Sequence, residues 1–275
     1  MKDIKKLEEE IKRLKERLGF FAPDLSCLLK RRGFEVFSKN PEEDIIFQSP
    51  GQRERIYEYM KRYAFRIFLR DVIRLQNGFY AEDVSRYASL DMTKKYISVL
   101  LEVDVLEKVN ENRYRLIPRI RSFGSTLVWF ITEVLKREFC MESLWGVKFR
   151  GRSVGGDYDI LSNLTPGICF IEIKSSPPRQ IEESEVRAFI ERSVDLCPEI
   201  SMFFLDTHLR MKDKIVALFE DVMIEMYSYR PAIVRLYREV FHIEDTNIYI
   251  LNAKPSIKTN LSEVFGHYYR RRCLR

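Results

Sequence analysis

Residues 120–275 predict an α/β fold, a mixed sheet flanked by helices, and three observations carry that expectation. Four short apolar runs, at 144–149, 156–161, 168–174 and 200–206, have the length of strands rather than helices. Helical spacing precedes them at 122–140 and separates the third from the fourth at 181–196. The order helix, three close strands, helix, strand leaves a sheet whose faces need helical cover. Within it, Thr165-Pro166-Gly167 is turn chemistry, so the second and third strands should pair antiparallel. A helix at 211–227 and a strand at 247–251 continue the pattern.

Upstream, residues 1–50 read as an N-terminal helical segment. Ile4, Leu7, Ile11, Leu14 and Leu18 recur at three-four spacing on one stripe of a charged helix. The stripe permits a short coiled coil, and with it a homodimer; packing on its own chain is the equal alternative. A short helix at 24–32, a stop at Gly33 and extended pieces at 34–38 and 44–48 follow, with Ser49-Pro50-Gly51 as a boundary. Residues 51–119 form the next unit. Helical spacing runs from 52 to 75, Asn77-Gly78 breaks it, and a second short helix spans 81–87. Asp91 is placed to cap a third helix through 102, before two strand-like runs at 106–109 and 113–117. Three helices and a hairpin are the order of a winged helix-turn-helix. In that arrangement Lys94 and Lys95 face the major groove, Arg113 and Arg115 sit on the wing, and Tyr96, Val99 and Leu100 face the core.

Composition narrows the function classes. The chain has 275 residues, 45% of them apolar, which is ample for more than one unit with its own core. A formal charge of +6 with both signs abundant suits a nucleic-acid partner without requiring one. The apolar runs stop short of the roughly 18–20 residues a membrane span needs. Cys27, Cys140, Cys169, Cys197 and Cys273 are odd in number and scattered, so they read as reduced, buried thiols of a cytoplasmic protein. His208, His242 and His267 are too far apart in sequence to suggest a histidine metal site.

Two neighbouring strands carry the chemistry. Asp157 and Asp159 alternate with Tyr158 and Ile160; Glu172 and Lys174 alternate with Ile171 and Ile173. Each set of charges therefore shares a face at the edge of an apolar layer. Unpaired charges there would cost several kcal/mol, on the order of the penalty for a desolvated ion. A divalent cation offsets that cost, and two hard carboxylates suit Mg²⁺ or Mn²⁺. Seen alone, a Glu-x-Lys on a strand is more often a solvated edge; the upstream Asp159 and the element order set this one apart. Asp157 is a substitute ligand. Lys148, Arg150 and Arg152 could hold phosphates beside the site, as could Ser175, Ser176 and Arg179 before the next helix. Arg270, Arg271, Arg272 and Arg275 form a basic tail.

Asp159 on one strand and Glu172-Ile173-Lys174 on the next resemble the PD-(D/E)XK nuclease superfamily, and in spacing archaeal-type Holliday junction resolvases. The resemblance covers residues 122–206 and includes a helix and Ser153 ahead of the Asp; the family's proline before that Asp is replaced by Tyr158. It implies a restriction-endonuclease-like fold in which Asp159, Glu172 and the Ile173 carbonyl ligate Mg²⁺ or Mn²⁺. Lys174 would orient or activate the attacking water, and Glu133 on the preceding helix would add a further carboxylate. The implied activity is metal-dependent hydrolysis of DNA phosphodiester bonds in repair, recombination or restriction, with RNA not separated from DNA by the sequence. The competing reading is a non-catalytic DNA-binding or regulatory protein on an inactive nuclease fold.

Overall fold

The computed structural model describes residues 2–273 except Ala22 and Ser153. Helix α1 (Lys2–Phe21) leaves Ile4, Leu7, Ile11 and Leu14 exposed, between 49% and 62%. Asp24 caps α2 (Leu25–Arg31) by accepting the N–H of Cys27 at 2.7 Å. Gly33, at φ +78°, turns the chain into β1 (Val36–Ser38). This strand is an edge of the large sheet, antiparallel to β5 (Ser143–Phe149). Leu25, Leu28 and Leu29 enter the core beneath the same sheet. Residues 25–38 thus add to the C-terminal layer, although the sequence groups them with α1. The extended piece expected at 44–48 is no strand; Ile45, Ile46 and Phe47 are fully buried against α6 (Gly124–Phe139), where Thr126 Oγ1 accepts the Ile46 N–H.

The long helix expected from 52 to 75 is two helices, α3 (Pro50–Met60) and α4 (Tyr63–Arg74). Arg62 between them is extended, and the buried Arg66 guanidinium takes over the carbonyls of Met60 at 2.7 Å and Lys61 at 3.2 Å. Those are the acceptors a helix end leaves unsatisfied. The expected helix at 81–87 is a single 3-10 turn, Ala81–Val84, after β2 (Phe79–Tyr80). Helix α5 (Leu90–Glu102) is capped by Ser89, whose Oγ accepts from Met92, and Asp91 falls in its first turn instead. The strands β3 (Leu106–Lys108) and β4 (Arg113–Leu116) complete a small antiparallel sheet in the order β2-β4-β3.

The large sheet adds β6 (Tyr158–Asn163), β7 (Ile168–Lys174), β8 (Ile200–Leu205), β9 (Ile233–Tyr237), β10 (Val240–Ile243) and β11 (Ile248–Asn252). Its order is β1-β5-β6-β7-β8-β11-β10-β9, with β7, β8 and β11 parallel and the remaining pairs antiparallel. Helices α7 (Glu183–Leu196), α8 (Ala217–Tyr227) and α2 cover the face bearing Leu161, Phe170 and Phe203. The other face, with Ile160, Ile171 and Ile173, is covered by α6 and α9 (Ile257–Cys273). That second core runs on without a break into α3, α4 and α5.

Two ion clusters tie these layers together. Asp206, just past β8 and fully buried, accepts from Arg66 and Arg70 of α4 at 2.6–3.0 Å. Glu138, near the end of α6, bridges Lys61 at 2.7 Å and Lys258 of α9 at 2.6 Å. The hydrogen bonds from Lys258 and then Lys61 hold its carboxyl down to about 2, from an ordinary 4.5. A depressed carboxylate contributes stability that is present above its unfolded pKa and lost as pH falls through the folded one. Glu138→Gln should therefore flatten the pH dependence of the melting temperature between about 4.5 and about 2 and leave its shape above pH 5 unchanged. A dependence in that window identical to the parent would show that the cluster does not contribute.

Candidate active site

Strands β6 and β7 pair with Ile160 opposite Ile171 and Leu161 opposite Phe170. Continuing that register brings Asp159 beside Glu172. The Asp159 carboxylate folds onto the neighbouring backbone, where Oδ2 accepts the N–H of Ile173 at 2.7 Å. Burial, then the charge of Glu172, push the Asp159 carboxyl up to about 8, against the opposing pull of the Ile173 N–H, Lys174 and Arg192. Glu172 itself is only 4% exposed. Its Oε1 lies 3.1 Å from Lys174 Nζ, and its Oε2 lies 2.8 Å from Arg192 Nη2. The second contact is not aligned as a hydrogen bond, so Glu172 Oε2 and Arg192 Nε are buried without a directed partner. Lys174 also meets Glu185 at 2.8 Å, and these carboxylates outweigh its burial and raise its pKa.

Asp159, Glu172 and Lys174 are thus brought together, joined by Glu185 and Arg192 of α7. Sequence reasoning missed the last two. Their signal is in the helix periodicity: Glu185, Phe189, Arg192 and Leu196 fall on one stripe, so Arg192 interrupts an apolar face. Arg192 is 7% exposed, and a charge at such a position needs a partner nearby.

The other expected residues stand elsewhere. Glu133 lies on α6, across the sheet from α7, with its carboxylate taken by Lys136 at 3.2 Å and Arg137 at 3.1 Å. Asp157 is half exposed and paired with Lys148 at 3.2 Å. Arg150 pairs with Glu35, while Arg152 pairs with Asp195 and lies over the Phe34 ring. Tyr158, in the place of the family's proline, is buried among Phe149 and Phe170 and donates to Asp195. Ser175 and Ser176 are partly buried and Arg179 is exposed, but α7 opens on Glu182, Glu183 and Glu185, which disfavour a phosphate at its N-terminus. Lys94 and Lys95 are exposed on α5. Arg113 and Arg115 are exposed on β4, Arg115 paired with Glu107. Ser153 and Arg275 lie outside the described residues. Of the five cysteines only Cys169 is buried; the other four, expected in the core, are exposed.

The chain shares its fold with a solved bacterial protein. Protein VC1899 from Vibrio cholerae superposes with a TM-score of 0.50 at 13% identity, over 90% of this chain and 60% of that one. Can2 from Sulfobacillus thermosulfidooxidans, solved in complex with cyclic tetra-adenylate, superposes with a TM-score of 0.46 at 10% identity, over 90% and 59%. The chain spans about 60% of the length of these proteins. No family model and no curated protein matches its sequence.

Chemically, two adjacent carboxylates and the Ile173 carbonyl offer a hard oxygen donor set. Among the described residues no group of three or more His, Cys, Asp and Glu side chains comes together as a metal cage. A cation here would rely on two side chains, a backbone oxygen and water. The undirected Glu172 Oε2 and the raised pKa of Asp159 fit that use, since a cation would offset the burial and mutual repulsion of the two carboxylates. Among the described residues no helix is long and apolar enough to cross a membrane.

Proposed function

We propose that this chain is a divalent-metal-dependent endonuclease acting on DNA. The observation that carries the reading is the convergence of Asp159, Glu172 and Lys174 from adjacent strands, with a buried carboxylate oxygen left without a directed partner. Asp159, Glu172 and the Ile173 carbonyl would hold Mg²⁺ or Mn²⁺. When bound, such an ion polarises a phosphate and lowers the pKa of a coordinated water. Lys174, kept charged by Glu172 and Glu185, would orient that water and balance charge on the phosphate.

The unit of α3–α5 and β2–β4 supports a winged-helix reading, with α5 presented to the major groove. Lys94→Glu with Lys95→Glu should weaken duplex binding at least about tenfold, uniformly across sequences, and flatten its salt dependence. Unchanged affinity in a salt titration would remove α5 from the interface. The exposed stripe on α1 offers a surface for a homodimer.

One observation favours the second reading, a DNA-binding protein without activity. Arg192 and Lys174 already give Glu172 two positive neighbours, so the site needs no ion for charge balance. Labelled linear, flapped and four-way-junction DNA, and a matched RNA, should be incubated with Mg²⁺ or Mn²⁺. Cutting that requires the metal supports the endonuclease and names its substrate. Binding without cutting in either metal transfers the conclusion to the inactive fold.

A further inference from the structure

A second cleft opens at the other end of the parallel strands. Lys174 stands at the carboxyl end of β7, level with Leu205. Glu199, Asn247 and Thr246 precede β8 and β11, and with Tyr249, Tyr268 and Arg271 they wall the cleft. The length of β8 puts about 17 Å of strand between the two places. Past Tyr268 and Arg272 the depression continues along Tyr269 to the turn at Leu164–Pro166.

Arg271 is the unusual group. It is partly buried, and its Nη1 lies 2.6 Å from His242 Nε2 and donates to the Thr246 carbonyl at 3.2 Å. His242 Nε2 lies 3.0 Å from that same carbonyl, so the imidazole and the guanidinium converge on one backbone acceptor. Burial, aided by Arg271, pushes the His242 imidazole down to about 4, so it is neutral at physiological pH and supplies no counter-charge. Glu199, the carboxylate among the lining residues, is held by Arg32 at 2.7 Å. Among the described residues, then, Arg271 is held by neutral groups alone. Basic residues in a last turn offset the helix dipole, which accounts for Arg270 to Arg272 as a group. It does not account for Arg271 turning back onto the sheet. Beside it, Arg272 donates to the Tyr268 hydroxyl and lies 5.4 Å from the Tyr268 ring, and Tyr269 packs edge-on against Tyr268 while 51% exposed.

Two guanidiniums with unused N–H donors beside accessible tyrosine rings match a phosphate linked to a planar base. We propose that this cleft binds nucleotides, with Arg271 and Arg272 on a phosphate and Tyr268 and Tyr269 against the base. The ligand is either a free nucleotide or a stretch of single-stranded nucleic acid, which share that chemistry. The proposal uses none of the residues of the candidate active site and stands or falls apart from it.

The test is fluorescence anisotropy with a short labelled oligo-dT and a short labelled oligo-rA, in a Lys94→Glu, Lys95→Glu background that removes α5. ATP and inorganic phosphate serve as competitors. Arg272→Glu and Tyr269→Ala alter exposed side chains, and unchanged melting temperatures confirm that both variants fold. Each should weaken oligonucleotide binding by about tenfold or more. Displacement by ATP identifies a free-nucleotide site; oligonucleotide binding that ATP does not displace identifies a strand path. Parental affinity in both variants overturns the proposal. So does binding that phosphate abolishes and Tyr269→Ala leaves intact, which would mark an anion site without base recognition.

Discussion

Under the proposed reading, Glu172→Gln and Lys174→Ala should each lower metal-dependent DNA cleavage by about a thousandfold while leaving duplex binding within about threefold of the parent. The two losses have different origins. Glu172→Gln keeps the shape of the side chain and removes the charge that faces Lys174 and Arg192, so a cation finds one carboxylate where there were two. Lys174→Ala leaves both carboxylates but takes away the side chain that would orient the attacking water. Single-turnover cleavage in Mg²⁺ separates the cases: raising Mg²⁺ restores part of the rate to Glu172→Gln and none to Lys174→Ala. Full activity in either variant would remove that residue from the chemistry.

Asp206→Ala destabilises the fold by about 3–5 kcal/mol, the range found when one member of a buried ion cluster is removed. Burial by itself would raise the Asp206 carboxyl; Arg66 and then Arg70 overcome it and hold the group below its ordinary value. Removing Asp206 leaves Arg66, 1% exposed, with its positive charge and only the Met60 and Lys61 carbonyls. The melting temperature should fall on the order of 10 °C for a chain of this size. Asp213→Ala, whose exposed carboxylate sits 3.6 Å from Arg210, is the control and should change stability by less than about 0.5 kcal/mol. A fall in Asp206→Ala no larger than in the control would mean that α4 docks on the sheet without its ion cluster.

The central sheet is legible because β5 to β8 are short apolar runs between strong turn and helix signals. Asp159, Glu172 and Lys174 are legible for the same reason, since strand alternation alone puts them on one face. What escapes is whatever depends on partners far along the chain. Val36 pairs with Phe149, and nothing local in residues 34–38 says which sheet they join. The β9–β10 hairpin turns through Arg238 at φ +43°, a residue with no turn signature. The end of α3 is set by Arg66 reaching back to two carbonyls, a tertiary interaction that helical spacing does not encode. Arg192 is the intermediate case: its place in the stripe of α7 is visible, but its partner Glu172 is not.

The core that runs unbroken from α5 through α6 to the sheet has a consequence for how such a nuclease would measure its substrate. Tyr96 of α5 packs on Phe65 and Phe68 of α4, α4 is bolted through Arg66 to Asp206, and the Asp206 N–H donates to the carbonyl of Lys174 at 2.9 Å. In the proposed nuclease, the span from a base contacted by α5 to a bond cut at Glu172 would then be a property of the protein, as fixed as the gap of a pair of calipers. Cleavage would fall at one set offset from the contacted sequence, where a hinged enzyme would scatter its cuts over a range.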